Sequence, residues 1–230
     1  VELRGKLSPE ELSKAWNNET YAEMKAEIAL HAMIGKADEQ NKQLLASAFA
    51  SRIPDVEKIL LTNTNNISSD DKVLYESLLT AQSHYVVEKT LDLLCFYQPL
   101  GIETYLKETE DRVGNRSQNV RIKWLEWSYL YTRDEVFVEQ LIELLSPRYE
   151  FITRTNSASA LERLNYMNET GIGYLIDGLF SANSRLRGPM NGTMRHFFGQ
   201  NGYQLLIRGY ILSGDWTDQE EAVLAKFSMR

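Results

Sequence analysis

A ten-residue phrase occurs twice in the chain, at positions 74–83 (LYESLLTAQS) and 175–184 (LIDGLFSANS). The two copies keep apolar, acidic, hydroxyl, alanine and amide positions in the same order, and each copy ends in a small polar turn. Both are followed by apolar residues at the i, i+4, i+7, i+8 spacing of an amphipathic helix. These residues are Val87, Leu91, Leu94 and Cys95 after the first copy, and Met190, Met194, Phe197 and Phe198 after the second. The phrase therefore predicts a unit of one helix, a turn and a second helix, used twice.

The two copies lie about three solenoid repeats apart, and such repeats must stack on neighbours because one helical pair cannot bury its apolar face alone. Helical periodicity continues along the chain. Alternation of the strand type is confined to residues 148–152, which is too short to found a sheet. We therefore expect an all-α fold, a superhelical array of antiparallel helical hairpins, that forms one repeat domain over residues 1–230.

Local signals place several helix ends. Ser8, Pro9 and Glu11 form a capping box with proline at the first helical position, and Thr217 and Glu220 form a second one near the end of the chain. Tyr21 is expected to begin the apolar stripe of the second helix. Pro99 is expected to begin a helix that Gly114 ends.

An aromatic stripe formed by Val120, Trp124, Trp127 and Tyr131 has helical spacing. It fits either an aromatic ligand-binding site or core packing between adjacent hairpins. We favour core packing, because any half-buried helix shows this spacing. Cys95 lies in a similar stripe, so we interpret it as a small core residue rather than a reactive thiol.

Composition narrows the classes of partner. The formal net charge of -7 argues against a nucleic-acid binder, which usually carries a basic face. No apolar run is long enough to cross a bilayer, so no membrane partner is expected. The compartment cannot be derived from the sequence. Because the chain begins with Val1 rather than methionine, we expect a processed protein or a piece of a longer one.

Motifs for catalysis are missing from the sequence. Zinc hydrolases carry His-Glu-x-x-His on one helix, whereas His31, His84 and His196 are scattered here, and His84 with Glu88 makes only one pair at i, i+4. There is no Gly-x-Ser-x-Gly elbow, and residues 171–173 (GIG) lack the third glycine of a dinucleotide turn. We therefore expect no catalytic residue, no metal ligand and no cofactor in this chain.

One stretch is locally basic. Residues 178–214 contain no Asp or Glu, and nine of the thirteen glycines lie between positions 171 and 214, within the glycine-rich region 170–214. Arginine presents a planar fork that suits carboxylates. We hypothesise that Arg185, Arg187 and Arg195 face an acidic group, on a neighbouring domain or at the carboxyl end of a peptide. The alternative is a solvated helix face whose arginines pair with acids elsewhere in the chain.

Four phrases of the chain occur in a fixed order: residues 83–87 (SHYVV), 119–125 (NVRIKWL), 146–158 (SPRYEFITRTNSA) and 183–187 (NSRLR). Together they resemble the C-terminal helical domain of the M1-family zinc aminopeptidases, the gluzincin group that includes aminopeptidase N, in its bacterial form. The resemblance spans roughly residues 74–198, more than half of the chain.

The resemblance implies a HEAT-like or ARM-type, right-handed α-α superhelix that packs on the catalytic domain of its own polypeptide and helps to enclose the peptide chamber. Family members release N-terminal residues from peptides with zinc held by His-Glu-x-x-His and a distal Glu, and a Gly-x-Met-Glu-Asn segment holds the substrate amine. Neither motif is present here, so no family site residue maps onto this chain. Zinc is expected in the catalytic domain of the parent protein, and peptide substrates are expected to be indirect partners.

Two other interpretations stay open. One is a free-standing helical-repeat scaffold that binds a protein or a peptide in its concave groove, as solenoids commonly do. The other is an all-α enzyme with a dispersed site, which no constellation of residues in the sequence supports.

Overall fold

The computed structural model describes residues 7–35 and 38–228, and every regular element in that part of the chain is a helix. The expected all-α class is confirmed. The chain divides into two compact units, residues 1–111 and residues 112–230. The single repeat domain expected from the sequence stays a prediction, and each unit is described by itself.

Unit 1 contains seven α-helices among its described residues. They are α1 (Pro9–Asn18), α2 (Ala22–Ile34), α3 (Glu39–Ala50), α4 (Pro54–Thr62), α5 (Lys72–Glu76), α6 (His84–Tyr97) and α7 (Ile102–Thr109). Two short 3₁₀ helices, Ser77–Thr80 and Pro99–Gly101, precede α6 and α7 respectively. Helix α2 packs most extensively on α4, and α6 contacts both α4 and α7.

Unit 2 likewise contains seven α-helices. They are α8 (Asn119–Thr132), α9 (Val136–Leu144), α10 (Phe151–Leu164), α11 (Glu169–Phe180), α12 (Ser184–Phe198), α13 (Asn201–Ser213) and α14 (Asp218–Ser228). Within each unit, most helices contact both the next helix and the next but one. Antiparallel hairpins that stack side by side give this pattern of contacts.

Both predicted capping boxes are present. Ser8 Oγ accepts from Glu11 N at 3.2 Å while Glu11 Oε2 accepts from Ser8 N at 2.7 Å, which starts α1 at Pro9. Before α14, Thr217 N donates to Glu220 Oε2 at 2.9 Å, and Glu220 N donates back to Thr217 Oγ1 at 3.4 Å. Such reciprocal bonds satisfy backbone donors that a helix start otherwise leaves unpaired.

The two copies of the phrase fold differently before the same turn. The second copy continues α11 to Phe180, whereas the first is a short α5 followed by the 3₁₀ helix Ser77–Thr80. The second helix of each pair is confirmed, since α6 and α12 bury the predicted apolar residues, with Phe198 partly accessible. Helix α6 begins at His84 and α12 begins at Ser184, 100 positions later. The two copies of the phrase are offset by 101 positions, so the second helix starts one residue earlier relative to the phrase in the second copy.

Three expectations about element ends and stripes are wrong in detail. Tyr21 is the residue before α2 and is 74% exposed, so it is not part of that helix's buried face. Pro99 opens the 3₁₀ turn, and α7 ends at Thr109, well before Gly114. In the aromatic stripe Val120 and Trp124 are core residues, but Tyr131 is 49% exposed because α8 reaches solvent at its last turn.

Two buried charged side chains, Glu126 and Arg154, link helices of unit 2 through hydrogen bonds and ion pairs. The Glu126 carboxylate on α8 accepts two bonds from Arg163 on α10, at 2.6 and 2.8 Å, and Lys123 lies 2.9 Å away. Arg154 on α10 is buried and donates to the carbonyls of Leu145 and Tyr174 and to Asp177 on α11. A buried charge requires such a set of partners, because water no longer solvates it.

Glycine allows α11 to approach its neighbours closely. A Cβ on Gly178 would clash with Met190 of α12, and one on Gly173 would lie 2.5 Å from the hydroxyl of Tyr210 on α13. The glycine-rich segment is therefore tightly packed at α11, because the backbone at Gly173 and Gly178 lies directly against side chains of α13 and α12.

Candidate docking surface on α12 and α14

Helix α12 carries the three arginines singled out in the sequence. It begins at Ser184 because the side chain of Asn183 accepts a bond from Arg185 N at 3.0 Å, and its first turn contains no acidic residue. Leu186, Met190 and Met194 turn into the core, so the opposite side of the helix faces solvent. The helix continues through Pro189, and Gly188 before it has no Cβ to clash with the proline ring.

Arg185, Arg187 and Arg195 are all exposed. At 100° per residue, Arg185 and Arg187 point about 160° apart around the helix, and Arg185 and Arg195 are about 15 Å apart along its axis. Arg187 donates to Ser181 O at 3.4 Å and lines a groove; Arg195 lies close enough to Lys226 of α14 to perturb its charge. The structure therefore does not gather the three side chains at one point.

The groove that Arg187 lines runs between α12 and α14 and has a volume of about 830 Å³. Leu179 and Phe180 from the end of α11 also line it, together with Gly188. Asn191 of α12 and Lys226 of α14 form a bridge across it, with Nζ 2.7 Å from Asn191 Oδ1. Near this bridge the rings of Phe198 and Phe227 meet edge to face, with centroids 5.5 Å apart.

The charges of the groove are unevenly distributed. Glu220 is its acidic lining residue, and the Thr217 backbone and hydroxyl bonds of the capping box lower the pKa of its carboxyl. Burial, together with repulsion from Arg195, lowers the pKa of Lys226. Among the described residues, no carboxylate lies within ion-pair distance of Arg187, Arg195 or Lys226.

Other cations of the basic stretch are used inside unit 2. His196 Nδ1 lies 3.4 Å from Glu162 Oε1, and the other ring nitrogen is 2.9 Å from Gln200 Nε2. The Arg208 guanidinium lies over the Phe198 ring at 5.5 Å from its centroid. Among the described residues, His196 has an internal acid as its partner, whereas no carboxylate lies within ion-pair distance of Arg187 or Arg195. Both interpretations of the three arginines stay predictions.

An exposed apolar ridge on α13 was missed by sequence reasoning. Leu205 is 71% and Leu212 is 80% exposed, one heptad apart on the same face. Gly202 and Gly209 lie on that face too, and a Cβ on either would meet open space. The signal was available in the sequence, because α13 carries a single charged residue, Arg208, and repeats Gly-x-x-Leu at seven-residue spacing.

The described residues hold no group of three or more His, Cys, Asp or Glu side chains placed to bind a metal ion. Cys95 is 1% exposed in α6, which places it in the core as expected. No described helix has the length and hydropathy required to span a membrane. The expectation that this chain carries no catalytic residue stays a prediction.

Unit 1 has a separate cavity of about 660 Å³ between α2, α3 and α5. Leu30, Leu45 and Phe49 give it an apolar wall, and Tyr75 closes one side by a 2.7 Å bond between its hydroxyl and Thr64 Oγ1. Burial raises the pKa of Tyr75. Among the residues that the structure describes, no cationic side chain lines this cavity, so its described lining differs from that of the α12–α14 groove.

Comparisons of this chain with protein-family models, with curated proteins and with solved structures give no match. The resemblance to the M1 aminopeptidases therefore rests on the sequence phrases alone.

Proposed function

We propose that this chain is a non-catalytic helical docking domain, and specifically the C-terminal helical domain of an M1-like zinc aminopeptidase. In this role it packs on the catalytic domain of its own polypeptide and helps to enclose the peptide chamber. The zinc and its ligands belong to that catalytic domain. The helices form a right-handed, HEAT-like superhelix of antiparallel hairpins.

The observation that carries the proposal is the exposed cationic surface of α12, on which no described carboxylate lies within ion-pair distance of Arg187 or Arg195. In a chain whose net charge is -7, such arginines favour contact with an acidic partner surface. The α13 ridge of Leu205 and Leu212 lies on the next helix and adds exposed apolar area. Apolar patches rimmed by polar groups are typical of protein–protein contacts.

The helix contacts support the superhelical part of the proposal. Within each unit the helices contact the next and the next but one, as stacked hairpins do. The four phrases that resemble the aminopeptidases include residues 146–158, whose Arg154 is buried, and residues 183–187, which start α12.

The coding sequence upstream of Val1 tests this proposal. We expect several hundred residues that contain His-Glu-x-x-His and a distal Glu in the same reading frame. A start codon a few residues before Val1 would contradict the aminopeptidase assignment. It would leave a free-standing scaffold, the second candidate, which the open α12–α14 groove favours because a scaffold needs a concave binding surface.

An activity measurement tests the non-catalytic part. The isolated chain with added zinc should not hydrolyse aminoacyl amide substrates above the background of a buffer blank. Turnover that persists after repeated purification, and that a chelator abolishes, would contradict the proposal.

A further inference from the structure

The α12–α14 groove has the geometry of a binding cleft rather than of a packing defect. Asn191 and Lys226 each lie about two turns from the first residue of their helices, so both helices start at the same end of the groove. Helix α13 contacts both of them and leaves the space between them open. A volume of about 830 Å³ is within the usual range for ligand pockets, about 300–1,000 Å³.

The electrostatics of the groove favour a negatively charged occupant. The start of α12 contributes partial positive charge at one end, with no acid in its first turn, whereas Asp218, Glu220 and Glu221 offset the positive end of α14. Arg187 and Lys226 line the walls, and Arg195 lies beside Lys226. Glu220 also lines the groove, where two bonds from Thr217, at 2.9 and 2.8 Å, hold its carboxylate in the capping box, so Arg187 and Lys226 leave an excess of one positive charge among the described lining residues.

The protonated form of Lys226 is disfavoured in the groove. Its ammonium donates to the neutral amide oxygen of Asn191, while burial and the charge of Arg195 both disfavour its protonated form. A carboxylate in the groove would offset this effect, because an opposite charge nearby favours the protonated form of an ammonium group.

The shape and the wider charge of the chain select the class of anion. Leu179, Phe180 and Val223 give the groove an apolar lining beside its cations, which suits the carbon atoms of a polypeptide. A chain whose net charge is -7 repels a long polyanion such as a nucleic acid more strongly than a short acidic segment, because the repulsion grows with the number of charges that the ligand carries.

We propose that the α12–α14 groove binds an acidic polypeptide segment of a partner domain, whose carboxylates pair with Arg187 and Lys226. The inference rests on the proposed function only in requiring a partner polypeptide on this side of unit 2. It holds for a catalytic domain of the same polypeptide and equally for a separate protein.

Titration calorimetry with a blocked hexaglutamate peptide tests the groove at about 0.15 M salt, where longer-range charge effects are screened. Arg187→Gln and Lys226→Gln should each weaken binding about 5- to 20-fold, because each removes one charge-assisted contact. Arg185→Gln is the matched control. It removes the same charge from the same helical turn, but Arg185 does not line the groove, so binding should change less than about twofold.

Amide NMR shifts of the unmodified chain provide a second measurement. Hexaglutamate should perturb Gly188 and Asn191 in the groove and leave Gly202 and Gly209 on α13 unchanged. Blocked hexaglutamine, which has the same length without charge, should perturb none of them.

Three results would overturn the inference. The first is no hexaglutamate binding at millimolar concentration, and the second is equal weakening by Arg185→Gln and Arg187→Gln. The third is tighter binding of inorganic phosphate or of a single-stranded oligonucleotide with the same dependence on Arg187. The upstream coding sequence decides the aminopeptidase assignment separately, so failure of one proposal is distinguishable from failure of the other.

Discussion

The acid of the repeated phrase has a different kind of partner in each of the two units. In unit 1, the acid of the phrase is Glu76, which pairs with Lys72 one turn away at 3.3 Å. In unit 2, the equivalent acid is Asp177, which pairs with the buried Arg154 of another helix at 2.8 Å. Asp177 links α11 to α10, and no described carboxylate lies within ion-pair distance of Arg187 or Arg195 on the following helix α12. The repeated phrase thus precedes the same turn in both units, while its acid has a local partner in unit 1 and a partner on another helix in unit 2.

The strongest test of this comparison removes the two equivalent acids. Asp177→Ala should lower the free energy of unfolding by about 2–4 kcal/mol, because it leaves the buried Arg154 guanidinium without its counter-charge while half of the Asp177 side chain is exposed. Glu76→Ala should cost less than about 1 kcal/mol, as for a local surface pair. Urea unfolding of both variants measures the difference. Equal losses would contradict the distinction between the copies.

A second test exchanges the small residue at the equivalent position of each phrase. Gly178→Ala should destabilise the chain by about 1–3 kcal/mol, because the added methyl group overlaps Met190. Ser77→Ala, at an exposed position of the 3₁₀ helix in the first copy, should stay within about 0.5 kcal/mol. Thermal unfolding followed by circular dichroism compares them. A neutral Gly178→Ala would show that α11 and α12 do not pack as closely as described.

A third test concerns the start of the second helix in each pair. Asn183 caps α12 with its side chain, whereas Ser83 before α6 makes no such bond. Asn183→Ala should therefore cost about 1 kcal/mol, and Ser83→Ala only a few tenths. Urea midpoints measure both. A larger loss for Ser83→Ala would reverse the predicted order.

The smallest effect at neutral pH concerns Tyr75, for which the second copy has Ile176. Burial raises the pKa of Tyr75 above its usual value near 10, so the folded chain retains this proton longer than the unfolded chain. The contribution of the Tyr75 phenol to the free energy of unfolding is fully present below about pH 10. It falls as the pH rises through the raised pKa of Tyr75.

Tyr75→Phe should therefore lose less stability between about pH 9 and pH 11 than the unmodified chain. At pH 7 the same variant should cost only about 0.5–1.5 kcal/mol for the hydrogen bond to Thr64. Guanidinium unfolding across this pH range measures both. Parallel pH curves for the two chains would show that the Tyr75 phenol titrates normally.

Much of the fold was predictable because its signals are local. The Ser8–Glu11 and Thr217–Glu220 boxes need only four consecutive residues, and the apolar stripes of α6 and α12 need only helical periodicity. The burial of Arg154 was not predictable, because its partner Asp177 lies 23 positions away and the sequence alone does not distinguish a buried arginine from an exposed one.

The candidate site was predictable in part. The absence of acids from residues 178–214 drew attention to α12, but the sequence grouped Arg185, Arg187 and Arg195 as one cluster. The structure separates them, because α14 approaches only one side of α12, through a contact between residues 35 positions apart. Lys226 lies outside the acid-free stretch, so no local pattern pointed to it.

The most direct test is a structure of the complete natural polypeptide that contains this chain. We expect the α12–α14 groove to be covered by an acidic segment of a neighbouring domain, with carboxylate oxygens within about 4 Å of Arg187 and Lys226. A groove that stays open to solvent while another face of the helices is buried against the rest of the protein would contradict that expectation.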